Sequence, residues 1–245
     1  AVDRDLAMQV NVHGTDRVLE FCRACEPLDR LHYVSTCYVS GRYPGEFTED
    51  MLVEGQSFNN HYESTKFLAE VRVQDAMDDG LPATIYRPSI AVGDSETGET
   101  QKYDGPYQVL RYFLDQPGVA VVPEFGDPGS FEVNVVPRDF VVDAIDAISA
   151  REDTSGEVYQ LADPDPPSVA EMQAAFAAAT NTWTLDVSFS KPAFQWLLRE
   201  VDAFRDWTGI DPAILDYFTH PTRYDTTNAT RVLDDEGIAC PTFRE

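Results

Sequence analysis

The chain has 245 residues, 43% of them hydrophobic, which is enough for one large domain or two small ones with a buried core. Its 43 acidic and 18 basic residues give a formal net charge of −25, which disfavours nucleic acid and anionic membranes as partners and is typical of a halophilic protein. Because no stretch reaches 18 consecutive apolar residues and the N-terminal residues lack a signal-peptide layout, we expect a soluble, cytoplasmic protein without a membrane span.

The first half of the chain alternates helical and extended patterns. Helix-like spacing runs from about residue 5 to 25, and a strand rich in β-formers follows over residues 31–39. The next helix begins near residue 59 or 60 and ends at Gly80, and a short strand covers residues 83–87. This order predicts a parallel sheet covered by helices, with a binding site at the ends of the strands.

Shorter elements are predicted in the second half. They are a helix at 107–114, a strand at 119–122, a helix at 139–148 and a strand at 158–161. Ser168 and Glu171 form a capping box that opens an Ala-rich helix, and the last helix ends at Gly237. We expect these elements to form a smaller α+β lobe.

The cysteines and histidines do not form a metal-binding pattern. Cys22 and Cys25 have redox or metal-site spacing, but they lie in a helical segment with no second pair and no clustered histidine. We therefore expect two reduced helix cysteines and no metal.

Tyr62 and Lys66 have a spacing that suits acid/base chemistry. Side chains four residues apart lie on the same face of a helix, so the Lys66 ammonium can stabilise a Tyr62 phenolate and bring the pKa of the phenol towards neutral pH. A general acid or base works best when its pKa lies near the ambient pH. The alternative interpretation of the same Tyr-x-x-x-Lys pattern is an exposed helix face on which the tyrosine ring packs against the aliphatic part of the lysine.

Several segments together resemble the extended short-chain dehydrogenase/reductase family. Residues 11–15 (Asn-Val-His-Gly-Thr) are similar to a helix of that family, residues 33–41 to its Ser-Thr strand end, and residues 62–66 to its catalytic pair. Arg87-Pro88 matches the strand end beside the nicotinamide. Residues 87–98 and 103–107 are most similar to the subgroup of fatty acyl-CoA reductases, male-sterility proteins and thioester reductase domains.

The resemblance implies an α/β fold, a partial NAD(P)-binding Rossmann domain whose doubly wound parallel sheet is joined to a smaller α+β substrate lobe. Residues 1–91 would be the C-terminal part of the Rossmann domain and would carry the catalytic residues. Residues 92–245 would be the substrate-binding lobe, with about 131–162 returning to the sheet. The cofactor would be NADP or NAD.

The resemblance also implies roles for individual residues. Tyr62 would be the acid/base, and Lys66 would hold the nicotinamide ribose and lower the Tyr62 pKa. Thr36 would hydrogen-bond the reacting oxygen, and Asn11 would anchor a water path behind Lys66. The residues that would contact the cofactor are Tyr62, Lys66, Ser35, Pro88, Ser89 and Ile90.

Two departures from the family pattern narrow the expected activity. Cys37-Tyr38 stands where sugar-nucleotide dehydratases have Asp-Glu, so dehydration is not expected. No glycine cluster forms the Gly-x-x-Gly-x-x-Gly turn at which the pyrophosphate of a dinucleotide binds. We therefore expect either that the polypeptide extends upstream or that this chain by itself holds a dinucleotide poorly.

The leading hypothesis is an NAD(P)-dependent oxidoreductase that transfers hydride to or from a carbonyl, thioester or alcohol. Its small-molecule substrate would be an acyl thioester, aldehyde, alcohol or sugar nucleotide, and a homodimer is possible in this family. One alternative is a nucleotide-sugar or sterol-type epimerase/dehydrogenase with tightly bound NAD. A third hypothesis is a non-catalytic binding or regulatory relative, or an inactive fragment.

Overall fold

The computed structural model describes residues 3–103, 105–116, 118–124, 127, 129–208, 212 and 214–243. The helices within these ranges are α1 (Arg4–Ala7), α2 (Gly14–Ala24), α3 (His61–Asp78), α4 (Pro106–Leu114), α5 (Arg138–Ser149), α6 (Val169–Ala179), α7 (Lys191–Glu200), α8 (Asp202–Thr208), α9 (Ile214–Tyr217) and α10 (Thr227–Glu236). The strands are β1 (Leu31–Val34), β2 (Gly45–Phe47), β3 (Ala83–Pro88), β4 (Ile90–Val92), β5 (Val119–Glu124), β6 (Val135–Pro137), β7 (Val158–Leu161), β8 (Trp183–Ser188) and β9 (Thr222–Tyr224). Of the described helices, none has both the length and the apolar character needed to cross a membrane.

The chain divides into two compact units, each assembled from separated stretches of sequence. Among the described residues, the first unit takes those within 1–98, 135–164 and 221–245, and the second takes those within 99–134 and 165–220. The assignment of cofactor binding to residues 1–91 and substrate binding to residues 92–245 stays a prediction.

The first unit contains a parallel three-stranded sheet in the order β1–β3–β7. Val34, the last residue of β1, pairs with Tyr86 of β3, and Ile85 of β3 pairs with Val158 of β7. Two shorter parallel pairs, β2 with β9 and β4 with β6, also lie within this unit. The α/β fold class and the parallel sheet are therefore confirmed, and the carboxyl ends of β1 and β3 lie side by side.

Helices cover this sheet on both faces. Successive side chains of β3 point to opposite faces, and the apolar ones on each face are buried by a different set of helices. Ile85 packs in one cluster with Leu19 of α2 and Val73 of α3. Tyr86 packs in another, whose further buried members come from α5, α10, β6 and β7: Val136, Phe140, Ala144, Ile148, Tyr159, Leu161, Ala229, Val232 and Leu233. Burying each large apolar side chain contributes about 1.5–3 kcal/mol, so the first cluster fixes α2 and α3 against the sheet and the second fixes α5 and α10.

Two predicted elements differ from the observed ones. The helix expected at 5–25 is interrupted by a π-helical segment, Met8–His13, which joins α1 to α2. The strand expected at 31–39 ends at Val34, because residues 37–40 form a 3₁₀ turn in which the Thr36 hydroxyl accepts a hydrogen bond from the Tyr38 amide. Here a local side-chain hydrogen bond prevails over the β propensity of the segment.

The other boundaries agree closely with the predictions. Asn60 caps α3 by accepting a hydrogen bond from the Glu63 amide, and Gly237, in the left-handed conformation, follows α10. The second unit pairs β5 in parallel with β8, and the capping box at the start of α6 is present as predicted. All four cysteines carry free thiols.

Candidate active site

Tyr62 and Lys66 both lie near the start of α3, whose first turn is fixed by a network of hydrogen bonds. The Asn60 side chain accepts a hydrogen bond from the Glu63 amide at 3.0 Å, and the Glu63 carboxylate accepts one from the Asn59 amide at 2.8 Å. Glu63 is fully buried, so this capping arrangement is part of the core. The predicted acid/base pair therefore stands on a well-anchored helix.

The Lys66 ammonium lies at the carboxyl end of β1. Its Nζ donates to the Val34 carbonyl oxygen at 2.8 Å and to the Tyr33 hydroxyl at 3.4 Å. The same Nζ lies 4.8 Å from the centre of the Tyr33 ring, within the range of a cation–π interaction. β1 thus fixes the position of the charge.

Thr36 and Tyr62 meet at this end of the sheet. Thr36 is buried, and its hydroxyl donates to the Pro88 carbonyl oxygen at 3.4 Å. The Thr36 side chain also acts on the Tyr62 phenol, whose pKa it lowers. The ends of β1 and β3 and the first turn of α3 therefore converge on two hydroxyl groups.

The pKa of Tyr62 is raised in this structure, contrary to the expectation of a phenol whose pKa Lys66 lowers. Burial raises the Tyr62 pKa, the interaction with the Thr36 side chain opposes the increase, and the charge of Glu63 adds to it. The Lys66 ammonium is directed to the Val34 carbonyl instead, and burial lowers the pKa of Lys66 against the charge of Glu70. Since 43% of Tyr62 is exposed, its phenol remains accessible to water.

Asn11 lies within the π-helical segment and reaches α3. Its Nδ2 donates to the Thr65 hydroxyl at 2.9 Å, one residue before Lys66. Its backbone carbonyl accepts a hydrogen bond from the Thr15 hydroxyl at 2.7 Å. A π-helical turn is a frequent feature of functional sites, and here it ties the N-terminal helices to the segment carrying Lys66.

The remaining residues predicted to contact the cofactor lie at the ends of β1 and β3. Their side chains differ in whether they already have a hydrogen-bond partner in the protein. The Ser35 hydroxyl donates to Glu70, and the Ser89 amide donates to the Leu161 carbonyl at 3.0 Å. The Ser89 hydroxyl is buried and, within the described part of the chain, has no hydrogen-bond partner. Pro88 ends β3 and Ile90 begins β4.

Glu70 is a residue of this region to which the sequence analysis assigned no role. It is fully buried, and its carboxylate bonds to both Ser35 and Arg87. One signal was present in the sequence: a charged Arg87 inside an otherwise apolar strand requires a buried partner. Nothing in the linear order, however, identified that partner as Glu70.

The sequence profile of an NAD-binding family described as male sterility protein matches residues 3–145. The matched range spans more than half of the chain and contains every residue of this site. The chain belongs to the male sterility protein family. The predicted resemblance to extended short-chain dehydrogenases and fatty acyl-CoA reductases is confirmed.

Similar proteins agree with this assignment. The chain is 28% identical over 162 residues to a linear gramicidin synthase protein of Brevibacillus parabrevis, covering 64% of this chain and 3% of that protein. It is 27% identical over 168 residues to the fatty acyl-CoA reductase wat of Drosophila melanogaster, covering 57% of this chain and 32% of that protein.

A solved structure extends the comparison to the fold. The terminal R domain of the myxalamid biosynthetic pathway superimposes with a TM-score of 0.69 at 25% identity, covering 86% of this chain and 54% of that one. The chain therefore spans about half the length of this reductase domain, and less of the two curated relatives.

Proposed function

We propose that this chain forms the nicotinamide side of the active site of an NAD(P)-dependent reductase, in which Tyr62 donates the proton. The observation that supports this most is the convergence of two polar groups at the carboxyl ends of β1 and β3. The Lys66 ammonium donates to the Val34 carbonyl at 2.8 Å, and the Thr36 hydroxyl donates to the Pro88 carbonyl at 3.4 Å. Tyr62 lies one helical turn before Lys66 on α3. Ligands of parallel α/β sheets bind at this edge.

The residues at this edge fit a dinucleotide. The buried Ser89 hydroxyl has no hydrogen-bond partner among the described residues, although buried hydroxyls normally have one. An amide or hydroxyl group of the ligand would supply this hydrogen bond. Lys66 and Ser89, together with Pro88 and Ile90, would hold the nicotinamide and its ribose. Reduced NAD(P) supplies a hydride when it is bound. The residues at this edge do not distinguish NAD from NADP.

The proton for the reduction would come from the Tyr62 phenol. An ordinary phenol titrates near pH 10 and burial raises the pKa of Tyr62 further, so the group is protonated at neutral pH and can act as a proton donor. As the substrate carbonyl gains a hydride, its oxygen becomes negative, accepts the Tyr62 proton and is stabilised by the Thr36 hydroxyl. Tyr62 becomes a phenolate, and its exposure lets water return the proton.

We propose an acyl thioester or the corresponding aldehyde as the substrate. The support is the likeness to a fatty acyl-CoA reductase and to the R domain of a biosynthetic assembly. Hydride addition to a thioester would expel the thiol, which takes a proton, and leave an aldehyde. A second hydride and the Tyr62 proton would give the alcohol. Cys37 and Tyr38 are both buried, and the Cys37 thiol donates to the Arg87 carbonyl, so neither is arranged as an acid or base for dehydration.

The test measures oxidation of NADPH and of NADH by the full-length protein with a long-chain acyl thioester and with an aldehyde. We expect Tyr62→Phe to lower kcat by about 10²–10⁴-fold, the usual contribution of a general acid. Tyr103→Phe is the matched control, since Tyr103 is exposed and lies in the second unit. Equal rates for wild type and Tyr62→Phe would overturn the proposal, as would no turnover by wild type.

A further inference from the structure

Glu70 and Arg87 form a buried ion pair directly beneath the proposed site. Arg87 Nη2 lies 2.6 Å from Glu70 Oε1, and both side chains are 0% exposed. Arg87 Nε donates to the same carboxylate oxygen at 2.9 Å, while the other oxygen, Oε2, accepts the Ser35 hydroxyl. One carboxylate oxygen of Glu70 therefore binds Arg87 of β3, and the other binds Ser35, which follows β1.

Each member of this cluster is adjacent to a residue of the proposed reaction. Ser35 precedes Thr36, Arg87 precedes Pro88, and Glu70 lies one turn after Lys66 on α3. The Thr36 hydroxyl also donates to the Pro88 carbonyl at 3.4 Å, so the cluster fixes both partners of that contact. A shift of Glu70 would move Thr36 relative to Tyr62 and Lys66, which lie on the same helix as Glu70.

Arg87 also donates two hydrogen bonds to backbone carbonyls. Nη2 donates to the Met51 carbonyl at 2.9 Å and Nη1 to the Glu49 carbonyl at 3.3 Å, and the guanidinium lies 5.6 Å from the Phe47 ring centre. Stability alone does not explain this cluster, because well-packed apolar residues often replace a buried ion pair without loss of stability. Geometric specificity is the better explanation of a hydrogen-bonded polar group among apolar neighbours.

We infer that Glu70 is a positioning residue for the proposed reduction: through Ser35 and Arg87 it sets the distance between Thr36 and α3. The inference rests on the proposed function. Glu70 also lies one turn after Lys66 on the same helix, and its charge raises the pKa of Lys66 in opposition to burial.

The electrostatic role can be measured without catalysis. The chain contains only three lysines, Lys66, Lys102 and Lys191, so NMR of ε-¹³C-labelled lysine resolves each titration. We expect Glu70→Gln to move the Lys66 midpoint to lower pH. The signal of Lys191, which is paired with Asp216, serves as the control. An unchanged Lys66 midpoint would contradict the electrostatic role.

Glu70→Gln leaves Arg87 without a counter-charge in the core and can fail to fold. The double variant Glu70→Leu/Arg87→Met removes both charges and preserves the volume, so it is the second measurement. We expect it to fold with a cooperative thermal transition and, because the link between Ser35 and Glu70 is lost, to have a lowered kcat. Wild-type kcat in the folded double variant would refute the positioning role.

Ser35→Ala tests the positioning role, because it leaves the ion pair intact and removes only the link to β1. We expect kcat to fall about tenfold with little change in KM for the cofactor, as for a misplaced catalytic group. Ser40→Ala is the matched control, since Ser40 is equally buried but its hydroxyl bonds to the local Gly41 carbonyl. Wild-type kcat in Ser35→Ala would refute the positioning role. A failure of the reductase proposal would be recognised separately, by equal rates of wild type and Tyr62→Phe.

Discussion

The Asn11 side-chain amide donates to the Thr65 hydroxyl at 2.9 Å, joining two residues that lie 54 positions apart in the sequence. This contact connects the π-helical segment to the residue that precedes Lys66. It gives Asn11 a structural role in the proposed site that does not depend on a water path behind the lysine.

We predict that Asn11→Ala lowers the free energy of unfolding by about 0.5–1.5 kcal/mol, the usual contribution of one hydrogen bond, and weakens cofactor binding through Lys66. Urea denaturation and cofactor titration would measure the two effects. Gln9→Ala is the control, because Gln9 is exposed on the same π-helical segment. Equal stability of both variants would contradict the prediction.

The reductase activity should depend on pH in the direction set by Tyr62. Because burial raises its pKa, the phenol stays protonated through neutral pH, so the reduction rate should be level there and fall only at alkaline pH, above the ordinary phenol value near 10. A pH profile of kcat at saturating cofactor would check this. A decline centred near pH 7 would assign the proton to another group.

Removing the Thr36 hydroxyl should impair the chemical step. We expect Thr36→Val to reduce kcat by about 10²-fold, because the oxygen that becomes negative loses a hydrogen-bond donor. Thr36→Ser keeps the hydroxyl and should retain most of the activity. Thermal melting of both variants is needed, since Thr36 also caps the Tyr38 amide. Equal losses in the two variants would show that the hydroxyl is not the relevant group.

Glu49 should make the stability of the first unit sensitive to pH. Burial raises its pKa to about 7, against hydrogen bonds from the amides of Gln160, Asn228 and Ala229. A carboxyl group whose pKa is raised in the folded state contributes stability that is present below about pH 4.5 and is lost as the pH rises through about 7. The loss is on the order of 3 kcal/mol, from 1.36 kcal/mol per pKa unit.

Comparison of wild type with Glu49→Gln isolates this group from the rest of the acidic surface. The unfolding free energy of wild type should decrease relative to that of Glu49→Gln between pH 5 and pH 7.5, as measured by urea denaturation. A difference that stays constant over this range would show that Glu49 titrates at the same pH in the folded and unfolded states.

Salt should stabilise the folded chain. At a formal net charge of −25, like-charge repulsion opposes the compact state, and salt screens it because the Debye length falls from about 10 Å at 0.1 M to about 3 Å at 1 M. We predict a higher Tm in 2 M KCl than in 0.1 M KCl. Sucrose at matched osmolality is the control for preferential exclusion, and a Tm independent of salt would remove the support for a halophilic source.

Local patterns in the amino-acid sequence were sufficient to predict the alternation of helices and strands, the parallel sheet and the placement of Tyr62 and Lys66 on one helix. These features depend on periodicity, on capping residues such as Asn60 and on spacing within a helix, all of which are short-range. The motifs also indicated the family, since Asn11, Thr36 and Arg87-Pro88 occur in the expected order.

The surroundings of these groups, in contrast, depend on tertiary packing. The direction of the Lys66 ammonium, the raised pKa of Tyr62 and the Ser35–Glu70–Arg87 cluster all result from segments that are 17–52 residues apart in sequence and meet at the end of a sheet. Burial and hydrogen bonding depend on which side chains the packing brings together, and that information is not contained in local spacing.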